Sequence, residues 1–183
     1  MKATQAWNAR RSPDMTTRGT SQPDTLLYRF EAQLEFVPIG IVAEGLRMAN
    51  PFEGRVTEGV FEGARVWGID HLLVRSDGVS VIDAQKTISL GDRHVYEHLH
   101  GYCLPPEGID MPPLETMLSP GFQWPDIPFP VFGASTFRTA WPGFAHLNRA
   151  VARVDGWASF ATGRLAVDTR ILSHAAPAEL AGG

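Results

Sequence analysis

The chain has only one cysteine, Cys103, among its 183 residues, so no internal disulfide can form. It also lacks an apolar run of the ~18 residues that a membrane-spanning helix needs. No apolar segment near the first residues has the form of a secretory signal. These absences favour a cytoplasmic protein, in which Cys103 packs as a small buried hydrophobic residue.

Clusters of positive charge and nucleotide-binding loops are also missing. The formal net charge is −4, and no basic run follows the first residues, which argues against nucleic acid as a partner. The sequence contains no Gly-x-Gly-x-x-Gly or Walker loop and no Gly-x-Ser-x-Gly elbow. We therefore expect no cofactor, no membrane partner and no Ser-His-Asp hydrolysis.

The composition along the chain predicts one folded domain between two tails. Residues 1–24 are rich in Thr, Arg, Ser and Gln, which predicts a flexible N-terminal tail. A transit peptide has a similar composition, although no amphipathic helix is evident here. We expect residues 25–173 to form the domain and residues 174–183 to form a C-terminal tail.

Alternating apolar and polar residues predict short β-strands throughout this domain. The run from Leu26 to Phe36 places six apolar side chains on one face, and further alternating runs continue to Tyr102. Asp77-Gly78 lies between two such runs and predicts a tight hairpin turn. Residues 144–155 fit either a helix or a strand, and residues 157–172 predict a last strand that bends near glycine. This pattern indicates an all-β antiparallel sandwich or barrel.

Residues 104–133 have a different character, because they contain eight of the fourteen prolines. Proline at this density disfavours regular strands and helices, so we expect a long loop. Its aromatic residues, including Trp124 and Phe129, need burial. We predict that the loop folds over the barrel mouth as a lid and lends aromatic rings to a pocket. The alternative is that it packs on a neighbouring subunit.

Several short motifs follow one another between residues 26 and 172: Gly45-Leu-Arg47, Gly68-Ile-Asp70, Arg75-Ser-Asp-Gly78, Asp83-Ala84, Gly101, Phe137-Arg-Thr139 and Phe144-Ala-His-Leu-Asn148. In their order and spacing, these motifs resemble the family catalogued as domain of unknown function 3237. The resemblance implies a single antiparallel β-barrel, similar to calycin-like and allene-oxide-cyclase-like barrels. The family usually has tryptophan where this chain has His71 and His146, and Arg-Tyr in place of Gln85-Lys86. These departures imply a different ligand.

The candidate catalytic residues come from two of the predicted strands. Tyr96, His98 and His100 share one face of a strand, and we predict that this face lines the barrel interior. His98 would then act as general acid or base, Tyr96 as hydrogen-bond donor and Asp70 as the partner carboxylate. The alternatives are a solvated outer face for the strand and a turn-capping role for Asp70.

The candidate substrate-binding residues are expected around the same pocket: Arg47, Trp67, His100, Trp124, Phe129, His146 and Asn148. Arg47 could hold a ligand carboxylate, or it could pair with Arg75 and Asp83 in an internal ion network. Asn148 could bind a ligand carbonyl or satisfy a backbone group.

The pair His98-Leu-His100 also resembles the first half of a cupin metal site. A cupin needs a glutamate about four residues further on, and Glu107 lies too far along, beyond prolines. We therefore predict no tightly bound metal.

Two functions remain open for such a barrel. The first is a cofactor-free isomerase, lyase or cyclase that transfers protons on a small aromatic or hydrophobic substrate. The second is a non-catalytic binder or carrier of a similar ligand. We also predict a homo-oligomer, a dimer or trimer, because the strands carry more apolar residues than one barrel interior absorbs.

Overall fold

The computed structural model describes residues 25–172, and within them the chain forms short antiparallel strands with little helix. The predicted tails at residues 1–24 and 174–183 lie outside the described residues. The elements in chain order are β1 (Thr25–Leu34), β2 (Pro38–Val42), β3 (Gly45–Met48), β4 (Asn50–Gly59), β5 (Arg65–Asp70), β6 (Leu73–Val74), β7 (Ser80–Leu90), β8 (Arg93–Cys103), α1 (Leu114–Met117), β9 (Phe129–Arg138), a 3₁₀ helix (Pro142–Arg149), β10 (Val151–Ala158) and β11 (Arg164–Ile171).

Within the described residues, eight of the strands close into a barrel. Their order is β7, β5, β4, β1, β11, β10, β9 and β8, and β8 pairs with β7 to complete the ring. The pairings are antiparallel throughout this ring. The remaining strands, β2, β3 and β6, form a small sheet that joins the barrel where β6 pairs with β7. The predicted antiparallel β-barrel is confirmed.

Alternating side chains of the barrel strands fill its interior. In β1 the buried residues include Tyr28 and Phe30, and in β7 they include Ile82 and Ile88. Burying this apolar surface is the main favourable free energy of folding. The core also includes Val56 of β4.

Aromatic residues close the two ends of the barrel. At one end, Phe144 of the 3₁₀ helix lies 4.7 Å from Phe61, measured between ring centroids. At the other end, Trp124 of the proline-rich segment stacks 4.6 Å from Phe160, which stacks in turn 5.1 Å from Phe36. The proline-rich segment therefore packs against one end of the barrel.

The boundaries of the later elements differ from the sequence prediction. Strand β9 begins at Phe129, inside the predicted loop. It contains one proline, but its remaining backbone groups still pair with β8 and β10. Residues 144–155 divide into the end of the 3₁₀ helix and the start of β10. The predicted last strand is two strands, since Gly163 adopts a positive φ in the turn between them.

The predicted hairpin at Asp77-Gly78 is confirmed. Gly78 has a φ of +83°, and its N–H donates to the Arg75 carbonyl oxygen. Among the described residues, we find no helix with the length and apolar character needed to cross a membrane.

Candidate active site in the barrel cavity

A cavity of about 50 Å³ lies inside the barrel, toward the end covered by the proline-rich segment. Its walls are mainly apolar and include Phe30, Phe52 and Phe160. A space of this size holds a few water molecules. Three polar side chains, Asn50, Asp70 and Lys86, also line it, and their contacts determine what chemistry the cavity can support.

Asp70 is the carboxyl group of this cavity. It ends β5 with its side chain directed inward, and the residue is 7% exposed. The pKa of this carboxyl is raised from 3.8 to about 7. Burial is the largest cause and raises the pKa, a backbone hydrogen bond from Asp83 lowers it, and the charge of Asp83 raises it. The hydrogen bond is donated by the Asp83 backbone N–H to Oδ1 over 3.2 Å. Asp70 therefore lines the cavity and also accepts a hydrogen bond from a backbone amide. On the sequence alone, these two roles were alternatives.

Asn50 faces Asp70 from the neighbouring strand. The two residues are direct partners in the register of β4 and β5, which places their Cβ atoms about 5 Å apart. The Asn50 Oδ1 accepts the Val37 backbone N–H at 3.2 Å. Among the described residues, its Nδ2 is a buried donor without a hydrogen-bond partner. The cavity thus contains a carboxyl group and an amide donor on facing strands.

The sequence motifs did not point to Asn50 as a cavity residue. An Asn-Pro dipeptide favours a turn, whereas Asn50 and Pro51 here belong to β4. Strand alternation could have identified it, because Asn50 and Phe52 are two residues apart and point to the same face of β4.

Lys86 and Glu97 form a buried ion pair below the cavity. The Lys86 Nζ lies 3.0 Å from the Glu97 Oε1, and each side chain is at most 1% exposed. Glu97 also accepts hydrogen bonds from the hydroxyl of Tyr28 and, at 2.6 Å, from that of Ser135. The ammonium group lies 4.4 Å from the centre of the Phe30 ring. Glu97 therefore compensates the buried lysine, and burial with this carboxylate raises the pKa of Tyr28.

The side chains of Tyr96, His98 and His100 point away from this interior. Val95, Glu97 and Leu99 are buried in the barrel, so the residues between them face outward. The prediction that His98 and Tyr96 line the interior is therefore wrong. Alternation showed that these residues share a face, but only the packing of β8 against its neighbours decides which face is inside.

Other predicted binding residues also lie outside the cavity. Trp67 is 45% exposed on β5, and the guanidinium carbon of Arg65 lies 5.9 Å from its ring centre. Arg47 is half-buried, at the position between the buried Leu46 and Met48. Neither residue is part of the cavity wall.

The two predicted residues from the C-terminal motif belong to the 3₁₀ helix. His146 is exposed, and its ring lies 6.0 Å from that of Phe144. Asn148 accepts the Thr139 N–H at 2.8 Å and donates to the Thr139 carbonyl at 2.9 Å. With these two hydrogen bonds, Asn148 satisfies the backbone groups of Thr139, which was the alternative to binding a ligand carbonyl.

The predicted internal ion network of Arg47, Arg75 and Asp83 is wrong. Arg75 instead pairs with Asp77 at the hairpin, where both side chains are about half exposed. Asp83 accepts from His98 on the outer face of the barrel. Strand parity again explains the error, because Asp83 lies between the inward-facing Ile82 and Ala84.

The aromatic residues predicted for the lid reach the cavity indirectly. Phe129 is buried within β9 and is 1% exposed. Trp124 contacts Phe160, which forms part of the cavity wall. Cys103 also lines the cavity, and burial raises the pKa of its thiol to about 12, which fits the predicted small buried hydrophobic residue.

No family model matches the chain, and no curated protein matches it. Several solved structures share its fold, including the following three. A protein with unknown function from Clostridium acetobutylicum ATCC 824 is 21% identical, with a TM-score of 0.64, over 83% of this chain and 100% of that chain. A conserved protein of unknown function from Rhodopseudomonas palustris is 18% identical, with a TM-score of 0.61, over 84% of this chain and 98% of that chain.

The third structure is described as a beta-barrel like protein and comes from Acinetobacter baumannii AYE. It is 23% identical, with a TM-score of 0.61, over 85% of this chain and 100% of that chain. These likenesses show that the chain is built as a β-barrel of this kind.

Proposed function

We propose that this β-barrel is a cofactor-free isomerase, lyase or cyclase that moves a proton on a small hydrophobic carbonyl compound. The observation that carries the proposal is the pair of Asp70 and Asn50, a carboxyl and a free amide donor on facing strands of an apolar cavity. The catalytic roles first given to His98 and Tyr96 pass to these two residues, because both histidine and tyrosine lie on the outer face.

The proposed chemistry assigns one task to each polar group. Asp70 in its ionised form takes a proton from the carbon next to the substrate carbonyl. Negative charge then develops on the carbonyl oxygen, where the Asn50 Nδ2 donates a hydrogen bond. Asp70 returns the proton to the same or a neighbouring carbon. A pKa of about 7 supports this role, since both protonation states are then accessible near neutral pH.

The size of the cavity restricts the substrate. In the closed arrangement, about 50 Å³ admits only a very small molecule. An aromatic substrate requires the stack of Trp124, Phe160 and Phe36 to move apart. The proline-rich segment would then act as the predicted lid, which excludes water once it closes.

A carrier of a small hydrophobic ligand is the second candidate. The favouring observation is that most of the cavity wall is apolar, and that Lys86 and Glu97 neutralise each other. A carrier requires apolar lining and a fixed orientation but no proton transfer.

Three further proposals concern the setting of this function. The motifs from Gly45 to Asn148 support membership of the family catalogued as domain of unknown function 3237. The single buried cysteine supports a cytoplasmic location. Exposed apolar side chains on the outer surface support a homo-oligomer, with Ile39 at 66% and Tyr102 at 43% exposed.

The function can be tested with cyclopentanone as a probe, because it is small, apolar and exchanges its α-protons slowly without a catalyst. Exchange in deuterated buffer is followed by proton NMR, and binding is followed by shifts of the protein resonances. We expect the protein to accelerate exchange, and Asp70→Asn to lower this acceleration at least about 100-fold. Asn50→Leu should lower it while leaving the carboxyl in place.

The control is Asp92→Asn, which removes an exposed carboxylate from the turn between β7 and β8. Acceleration that persists in Asp70→Asn would refute the role of this residue. Binding of cyclopentanone without any acceleration by the wild-type protein would favour the carrier.

A further inference from the structure

The outer face of the barrel brings together two histidines and an aspartate from neighbouring strands. The His98 Nε2 lies 2.6 Å from the Asp83 Oδ1, and the His100 Nδ1 lies 3.7 Å from the same oxygen. The three candidate ligand atoms all lie within 4.8 Å of one another. This cluster takes no part in the cavity, because its side chains leave the opposite face of the sheet.

Strand register positions the three side chains. His98 and His100 lie two residues apart on β8, so they project to the same side, and their ring centres are 4.0 Å apart. Asp83 is the direct partner of His100 on β7. β8 is paired on both sides, with β7 and β9, and Asp83 lies directly opposite His100, so the backbone of each ligand is held in place before an ion binds.

We propose that Asp83, His98 and His100 form a binding site for a divalent transition-metal ion on the outer face of the barrel. Two imidazoles and one carboxylate form a donor set that suits Zn²⁺, Co²⁺, Ni²⁺ and Fe²⁺. Around a tetrahedral ion with ligand distances near 2.0–2.1 Å, donor atoms are separated by about 3.3 Å. The two distances from Asp83 Oδ1, 2.6 and 3.7 Å, lie on either side of that value, and the two histidine nitrogens are within 4.8 Å of each other. Side-chain rotations would therefore bring the three atoms onto one ion.

The exposure of the cluster determines what kind of site it is. The side chains of His98, Asp83 and His100 are 30%, 43% and 65% exposed. Three protein ligands on an open surface leave at least one coordination position for water or an external ligand. The site therefore resembles an open metal centre more than a closed structural one. The cluster lies outside the cavity, but Asp83 connects the two, because its backbone N–H donates to the Asp70 carboxyl.

The proposal departs from the prediction that no metal is tightly bound. That prediction sought the third ligand further along the same chain segment, where a cupin has it. The structure supplies the third ligand from β7 instead, fifteen residues before His98.

The test is isothermal titration of untagged, chelator-treated protein with zinc chloride near pH 7.5. We expect one ion per chain with a dissociation constant of about 10 μM or below. His98→Ala and His100→Ala should each weaken binding at least about 100-fold. With cobalt chloride, the wild-type protein should develop visible absorption bands that both variants lack.

His94→Ala is the matched control. His94 lies on the same strand and is also exposed, but it contacts the Ser89 hydroxyl at 3.0 Å and is outside the cluster. Its affinity for zinc should equal that of the wild type. The proposal is overturned if the wild type binds no zinc, or if His98→Ala and His94→Ala bind it equally well. Because all three histidines are on the surface, unchanged circular dichroism melting shows that each variant folds.

Discussion

Asp70 makes the stability of the barrel depend on pH in a direction that one substitution can reveal. A carboxyl whose pKa is higher in the folded protein binds protons that the unfolded chain has already released. Between about pH 4 and pH 7, the folded state therefore holds more protons than the unfolded state. Below this window, Asp70 makes its full contribution to the free energy of unfolding. This contribution is lost as the pH rises from about 4 to 7.

The magnitude follows from the two pKa values. The ordinary value is 3.8 and the value in the barrel is about 7, so they differ by about three. Each pKa unit corresponds to about 1.4 kcal/mol. Ionising Asp70 inside the barrel therefore costs on the order of 4 kcal/mol of stability. Burial is the largest cause of the shift, and the residue is only 7% exposed.

Asp70→Asn removes this ionisation and keeps the shape of the side chain. The amide oxygen of the substituted side chain can still accept the Asp83 N–H, so the variant should gain stability relative to the wild type as the pH rises from about 4 to 7. The gain should approach about 4 kcal/mol and then level off. Urea unfolding at a series of pH values, followed by tryptophan fluorescence, measures the difference.

Asp92→Asn provides the control, because this residue is exposed in a turn. Its stability curve should run parallel to that of the wild type. If the curve of Asp70→Asn is also parallel to the wild type across this range, the carboxyl of Asp70 does not have a raised pKa, and its proposed role as acid and base fails.

Three further predictions follow from the packing. Lys86→Met should lower the free energy of unfolding by about 3–5 kcal/mol, because Glu97 is left buried without its cation, and adding Glu97→Gln should restore part of the loss in urea unfolding. Trp124→Ala should weaken cyclopentanone binding at least about tenfold while the oligomer stays intact; binding that persists while the oligomer dissociates would refute the lid. Light scattering at micromolar concentration should give a dimer or trimer mass, and Ile39→Lys on the edge strand β2 should lower it, whereas a monomer mass for the wild type would contradict self-association.

The local pattern of the sequence was sufficient for an all-β antiparallel fold, and the resemblance chose a barrel over a sandwich. Alternation from Leu26 onward, the Asp77-Gly78 turn and the prolines between residues 104 and 133 are short-range signals, each with a direct effect on the backbone. They predict strands, turns and breaks without knowledge of any partner. Asp70 could be selected as the pocket carboxylate from the Gly68-Ile-Asp70 motif, and its position in the cavity agrees.

The composition of the cavity depended on long-range strand pairing. Alternation sorts the residues of β8 into two faces, but both faces contain ionisable groups, Glu97 on one and His98 on the other. The inward face carries Glu97, and its negative charge is compensated by the ammonium group of Lys86 on β7. A buried charge without such a partner would cost several kcal/mol, which no local pattern can evaluate.

By itself, the sequence determined that this protein is built of short antiparallel strands with apolar alternate faces, because the backbone follows turn chemistry and periodicity residue by residue. Only the tertiary structure decided which face is the interior. It thereby placed Asn50 opposite Asp70 in the cavity and Asp83 beside His98 and His100 on the outside. Both groupings join residues on different strands, and their distances exist only once the strands are in register.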